Sequence, residues 1–181
     1  SDSLPFSFSS SEDWDRTGLT SSSSFFTSFF ALGGILAALL QIAGIGKLTQ
    51  EIIDYDDKIK NLKYIGSLKY GEVDTYLINS HFTIIPSLFD NLPTVGLESI
   101  MNQTPLLISN STGLTPFLTD GIDCFKFDPT IDSLIDVFKR VEIQNEKIHE
   151  MGINARKLYS DFFSMSTYCE KMEQQIIIIL N

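Results

Sequence analysis

The stretch Pro86-Ser87-Leu88-Phe89-Asp90-Asn91-Leu92-Pro93-Thr94-Val95-Gly96-Leu97-Glu98-Ser99 decides how this chain is read. An apolar run, Phe82 to Ile85, ends at Pro86 as a buried strand would, a polar turn follows, and a helix opens near Thr94. Asp90 and Glu98 stand eight positions apart, so one lies in the loop before the helix and the other inside it. A helical carboxylate so placed can accept paired hydrogen bonds from a ribose diol, while the exposed amides of a first helical turn attract phosphate. The bland alternative is a β-turn with Asp90 as cap and Glu98 as a solvated helix residue.

These residues resemble the donor-binding signature of the family 4, or group 1, GT-B glycosyltransferases. In that signature a strand ending in Pro-Ser leads to an acidic residue, seven others and a Glu. Its common form continues with Asn-Leu-Pro, a Leu-Glu pair and a step into Pro that closes the helix. The corresponding residues are Asp90-Asn91-Leu92-Pro93, Leu97-Glu98-Ser99 and Gln103-Thr104-Pro105. The likeness runs on through the strand Leu106-Leu107-Ile108-Ser109, the turn Ser111-Thr112-Gly113-Leu114 and the loop Thr119-Asp120-Gly121-Ile122-Asp123-Cys124-Phe125. Upstream, Gln41-Ile42-Ala43-Gly44-Ile45-Gly46 is similar to a family strand and glycine turn, and Leu62-Lys63-Tyr64-Ile65-Gly66 to the next strand. Roughly residues 40 to 180 are covered.

The resemblance implies a fold and a site. The fold is α/β, a doubly wound parallel sheet with C-terminal helices, the Rossmann-like, nucleotide-sugar-binding half of a GT-B enzyme. Glu98 would bind the ribose hydroxyls and Asp90 a hydroxyl of the donor sugar, which makes these two the candidate catalytic residues. The amides of Thr94 and Val95 would face the diphosphate, and Ile65 and Gly66 the base. Gly44, Gly46 and Pro93 would complete the donor site. The implied reaction moves a hexose, with retention, from a UDP- or GDP-sugar to a saccharide or lipid-linked acceptor, with no cofactor and no metal. An acceptor-binding N-terminal domain or partner chain would supply the other half, at the cytoplasmic face of a membrane.

One departure stands out. Relatives place an Arg and a Lys after the first strand to neutralise the leaving diphosphate, the main electrostatic task of this chemistry. The corresponding region here, Ser21 to Leu40, contains neither, and Arg16 beside Gly18 is the one candidate. A non-catalytic Rossmann-like binding module is therefore the alternative.

Composition narrows the classes. The chain has 181 residues, 43% hydrophobic and 12% aromatic, enough for one folded domain with a real core. A net charge of −10 repels a phosphate backbone, which argues against nucleic acid as a partner. Cys124 and Cys169 lie too far apart for a metal knuckle and read as buried free thiols in a reducing compartment. His81 and His149 stand apart from any ligand spacing.

Residues 1 to 24 form a Ser-rich leader, and the domain is expected over 25 to 181. Phe25 to Gly46 carries no charge over 22 residues. We read it as a buried strand, a helix and a second buried strand; peripheral membrane contact and a true span are the alternatives. Beyond it, periodicity predicts helices over Thr49 to Tyr55, Glu72 to Asn79 and Thr94 to Asn102, with strands at Leu62 to Ile65, Phe82 to Ile85, Pro105 to Ser109 and Cys124 to Phe127. A long helix is expected from Ile131 towards Tyr159, then a last one capped at Ser164-Met165-Ser166, with Ile176 to Leu180 as its apolar tail.

Overall fold

The computed structural model describes residues 26–31, 38–58, 60–69 and 71–180. In chain order the elements are β1 (Phe26–Ala31), β2 (Ala38–Ala43), α1 (Thr49–Asp56), β3 (Leu62–Gly66), α2 (Val73–Ile78), β4 (Phe82–Ile85), α3 (Thr94–Met101), β5 (Leu106–Ser109), β6 (Cys124–Phe127), α4 (Ile131–Ile143), α5 (Ile148–Phe162) and α6 (Met165–Leu180). Single 3₁₀ turns occupy Thr115–Phe117 and Asn145–Lys147. The strands form one sheet in the order β3-β2-β1-β4-β5-β6. From β2 to β6 the expected strands and the helices between them are present, and the α/β architecture with C-terminal helices holds.

Every residue of β4 and β5 is buried, as a parallel strand covered on both faces requires. Alternate side chains feed two cores. Phe82, Ile84, Leu107, Phe125 and Phe127 face one side, where Val137 and Val141 of α4 cover them. Ile85, Leu106, Ile108 and Cys124 face the other, where Ile100 of α3 and Ala155 and Leu158 of α5 cover them. Met151, one turn before Ala155, belongs to the first core. Helix α5 thus passes from one face towards the other, and for that the long helix expected from Ile131 must break. The break falls at Gln144, followed by the turn Asn145–Lys147. Val141 and Ile148 keep a seven-residue spacing across it, but the polar run Gln144 to Lys147 between them leaves no apolar contact to hold the helix straight, and the sheet sets the bend.

The first strand corrects the expectation of an all-parallel sheet. β2 pairs with β3, β4 with β5, and β5 with β6 in parallel, but β1 runs antiparallel to both β2 and β4. Only residues 32–37 separate β1 from β2. A parallel crossover needs about a dozen residues or more, so this connection can only turn back. The helix expected between the two strands falls on 32–37, outside the described residues, as do the leader over 1 to 24 and Arg16. No helix among the described residues is long and apolar enough to cross a membrane.

The helical ends follow ordinary capping chemistry. Thr130 accepts the Ser133 amide at 3.3 Å to open α4, and the Ser164 hydroxyl accepts the Thr167 amide at 3.2 Å to open α6. Cys124 is buried in the core, whereas Cys169 on α6 is exposed, which corrects the reading of both thiols as buried. Burial first, and then the neighbouring Asp123 carboxylate, push the Cys124 thiol far above its ordinary range, so it stays protonated and inert.

Close approach of α5 to the loop entering β5 depends on Gly152. A Cβ there would lie 2.1 Å from the Gln103 carbonyl oxygen. Helix propensity alone would make Gly152→Ala stabilising by about 1 kcal/mol. The clash reverses the sign, and we expect a loss of about 2 kcal/mol, read as a lower denaturant midpoint. A midpoint at or above wild type would show that α5 does not rest on this loop.

Candidate functional site

The carboxyl ends of β2, β3, β4 and β5 lie along one edge of the sheet, and the chain reverses its direction of sheet growth at β1. In open α/β sheets such an edge is where ligands bind. The predicted residues fall into two groups along it. Asp90, Pro93, Thr94, Val95 and Glu98 follow β4, and Gly44, Gly46, Ile65 and Gly66 follow β2 or end β3. No hydrogen bond among the described residues joins the two groups.

The first group is built by the loop from Pro86 into α3. Asp90 Oδ1 accepts the Leu92 amide at 3.1 Å, so its side chain organises the turn rather than capping the helix. The helix is entered through Pro93, extended at φ −65°, ψ 111°, whose carbonyl accepts the amides of Gly96 at 3.0 Å and Leu97 at 3.2 Å. The amides of Thr94 and Val95 carry no hydrogen bond among the described residues, which leaves two donors at a positive helix end. Gly96 seats this turn: a Cβ there would lie 2.9 Å from both Ile85 and Leu114.

One turn further along α3, Glu98 is half-buried. Burial first, and then the Asp74 carboxylate of α2, raise its pKa above the ordinary value. Neither Asp74 nor Asn102, which bonds to it, is marked by sequence spacing. They lie 28 residues apart and meet only because α2 packs against α3.

The turn after β5 completes the loop layer. Asp90 and Thr112 pair in parallel beyond the ends of β4 and β5, and the Gly113 amide donates to the Asp90 carbonyl at 2.8 Å. Thr112 and Thr115 hydroxyls lie 2.7 Å apart, and Thr115 donates to the Ser109 carbonyl at 2.8 Å, so this turn is internally braced.

In the second group the amides of Gly44 and Gly46 are occupied. Gly44, at φ 126°, donates to the Gly66 carbonyl at 2.7 Å, and Gly66 itself has φ 75°. Gly46 exchanges two bonds with the Thr49 hydroxyl, at 2.8 and 2.9 Å, which closes the start of α1. The Tyr64 hydroxyl donates to the Gly44 carbonyl at 2.6 Å, a clamp with no signal in the sequence. Any ligand contact here would use the close backbone approach that glycine permits.

With this geometry in place, comparison with known proteins is informative. A family model described as glycosyl transferases group 1 matches residues 36–158. The chain belongs to this family. Among curated proteins no sequence relative matches. Among solved structures, a sucrose-phosphate synthase from Thermosynechococcus elongatus superimposes with a TM-score of 0.64 at 15% identity, over 74% of this chain and 34% of that one. HepE of Anabaena, in complex with UDP, gives 0.62 at 14% identity, over 70% of this chain and 36% of that one. The C-terminal domain of a group 1 glycosyl transferase, LpcC of Francisella tularensis, gives 0.58 at 11%, over 67% and 66%. At these identities the likeness speaks to the fold, which is the C-terminal, Rossmann-like half of GT-B glycosyltransferases. The chain spans about a third of the length of the synthase and of HepE.

The braced turn of the group 1 domain yields a direct test. A Cβ on Gly113 would fall 1.8 Å from the Asn91 carbonyl oxygen. Gly113→Ala should therefore cost about 2 kcal/mol or more of stability and push the Asp90 loop off its present path. A thermal melt and amide chemical shifts over residues 88–93 measure both, and wild-type values would mean that the two loops do not support each other.

Proposed function

We propose that this chain is the donor-binding half of a retaining hexosyltransferase that takes its sugar from a UDP- or GDP-sugar and gives it to a saccharide or lipid-linked acceptor. The observation that carries this reading is the half-buried Glu98 one helical turn beyond two unengaged amides, those of Thr94 and Val95, on the carboxyl edge of the sheet. In this reading Glu98 accepts the ribose diol, the two amides meet the diphosphate, and Asp90 holds a sugar hydroxyl. Ile65 and Gly66 approach the base, with Gly44, Gly46 and Pro93 shaping the floor. Structural relatives lend support: HepE has been seen with UDP-glucose, and the pneumococcal transferase GtfA with UDP and GlcNAc. The acceptor would be held by an N-terminal domain or a partner chain, in the cytoplasm at a membrane face.

A second reading is favoured by the direction of β1. Because β1 is antiparallel, its end at Ala31 lies on the edge opposite Gly44 and Pro86. A turn following β1 is then remote from the donor edge, and among the described residues no Arg or Lys follows β1 as relatives have it. On this reading the chain binds nucleotide without turning it over.

Glu98→Ala should weaken UDP or GDP binding by about 2 to 3 kcal/mol, because it leaves two ribose hydroxyls unpaired. Asp90→Ala should weaken the sugar nucleotide more than the bare nucleotide. Calorimetric titration of both variants decides this. Unchanged affinities, or a wild type that binds neither ligand, would defeat the donor-site assignment. Hydrolysis of the bound sugar nucleotide by wild type would favour the transferase, and binding without any turnover the second reading.

A further inference from the structure

Asn102 closes α3 and reaches across to α2. Its side-chain nitrogen donates to Asp74 Oδ1 at 2.8 Å and to the Glu98 carbonyl at 3.0 Å. One amide nitrogen carries two protons, so both bonds form together and the bracket ties the Asp74 carboxylate to the turn of helix that bears Glu98. A second acidic group is thus held beside the one that the donor reading assigns to the ribose diol.

The surroundings leave this pair unbalanced. Glu98 is the only ionisable residue within α3, and β4 and β5, which pack against it, bring none. Helix α2 brings Asp74. Helix α5 brings Arg156, but its guanidinium donates to the Met101 carbonyl and stacks over the Tyr159 ring 5.4 Å away. Arg156 is therefore engaged elsewhere, and Lys157, the next residue of α5, is exposed.

The geometry points to Asp74 as a positioning residue of the donor site: held by Asn102 against α3, its negative charge governs how readily Glu98 presents a carboxylate to a nucleotide. This rests on the donor-site reading for its consequence, though not for its mechanism. Like charges at close range each disfavour the other's ionised form, and half-burial of Glu98 acts in the same direction. The sign follows directly. The diol needs the ionised carboxylate, so nucleotide affinity is present above the raised Glu98 pKa and is lost as pH falls through it. Removing the Asp74 charge moves that loss to lower pH. The same linkage means that Glu98 favours the fold when protonated, and that this contribution disappears as pH rises through its pKa.

The test is a carbon-detected NMR titration of the Glu98 carboxyl in the full ligand-free chain, with Glu98→Gln used to assign the signal. In Asp74→Asn the midpoint should fall by about half a pH unit. Asp74→Glu should restore it towards wild type, which a merely structural role would not do. Wild type alone gives a second reading: its midpoint should fall as salt rises towards about 1 M, where surface charges are screened. A midpoint that moves neither with Asp74→Asn nor with salt overturns the proposal. UDP and GDP titrations of the same samples keep the two claims separate. If the midpoint moves but no nucleotide binds, the Asp74 coupling stands and the donor reading fails. If nucleotide binds and the midpoint stays fixed, the donor reading stands and the role of Asp74 falls.

Discussion

One buried hydroxyl governs where helix α3 sits, and the candidate site depends on that seat. Ser99 Oγ lies 2.8 Å from the Thr83 hydroxyl and 2.8 Å from the Thr104 carbonyl. Thr104 in turn donates to the Leu77 carbonyl at 2.6 Å. This short polar chain joins the end of α2, the strand β4, the helix α3 and the entry to β5. Leaving such a buried group unpaired costs about 1 to 3 kcal/mol, comparable to exposing a large aliphatic side chain. Apolar packing around Ile100 would tolerate small slides of the helix; the hydroxyl chain does not. With Ser99 turned into the core, the preceding residue points about 100° away, which brings Glu98 towards α2 and only half out of solvent.

The loops above the sheet are braced on the same principle, with backbone doing most of the work. The Gly113 amide and the Asp90 carbonyl extend the pairing of β4 and β5 past their ends, and Gly44 and Gly66 do the same for β2 and β3. In each case a residue without a side chain stands where two loops touch or where the backbone takes a left-handed turn. The loops can then offer polar groups to a ligand at little further ordering cost, because the strands below have already fixed them. Antiparallel β1 is the exception to this economy. It fills the centre of the sheet, but its connection to β2 leaves from the far edge, and the donor edge loses the loop that would otherwise follow a central parallel strand.

Much of this was legible in the residues. Short apolar runs marked the strands: β4 and β5 are uncharged throughout, as burial on both faces demands, while β3 and β6 each carry one lysine, and Gly and Pro marked several of the ends. Asp90, Pro93, Thr94, Val95 and Glu98 were legible as one unit because they lie within nine positions on a single strand, loop and helix. Local chemistry of this kind needs no knowledge of the rest of the chain.

Direction and partnership were not legible. Nothing in Phe26 to Ala31 says which way that strand runs; the shortness of 32–37 forces it, and only pairing with both β2 and β4 reveals it. Val141 and Ile148 stand seven apart, as one continuing helix would place them, yet the polar run Gln144 to Lys147 between them is where the helix bends to follow the sheet from one face to the other. Asp74 and Asn102 are ordinary polar letters until α2 is laid against α3. The sequence by itself determined which segments are buried, which are helical and which local run could hold a nucleotide, because those depend on residue type and short-range period. Tertiary structure alone decided the direction of β1, the break before α5 and the charge beside Glu98, because these depend on chain connections and on groups that meet only across the fold.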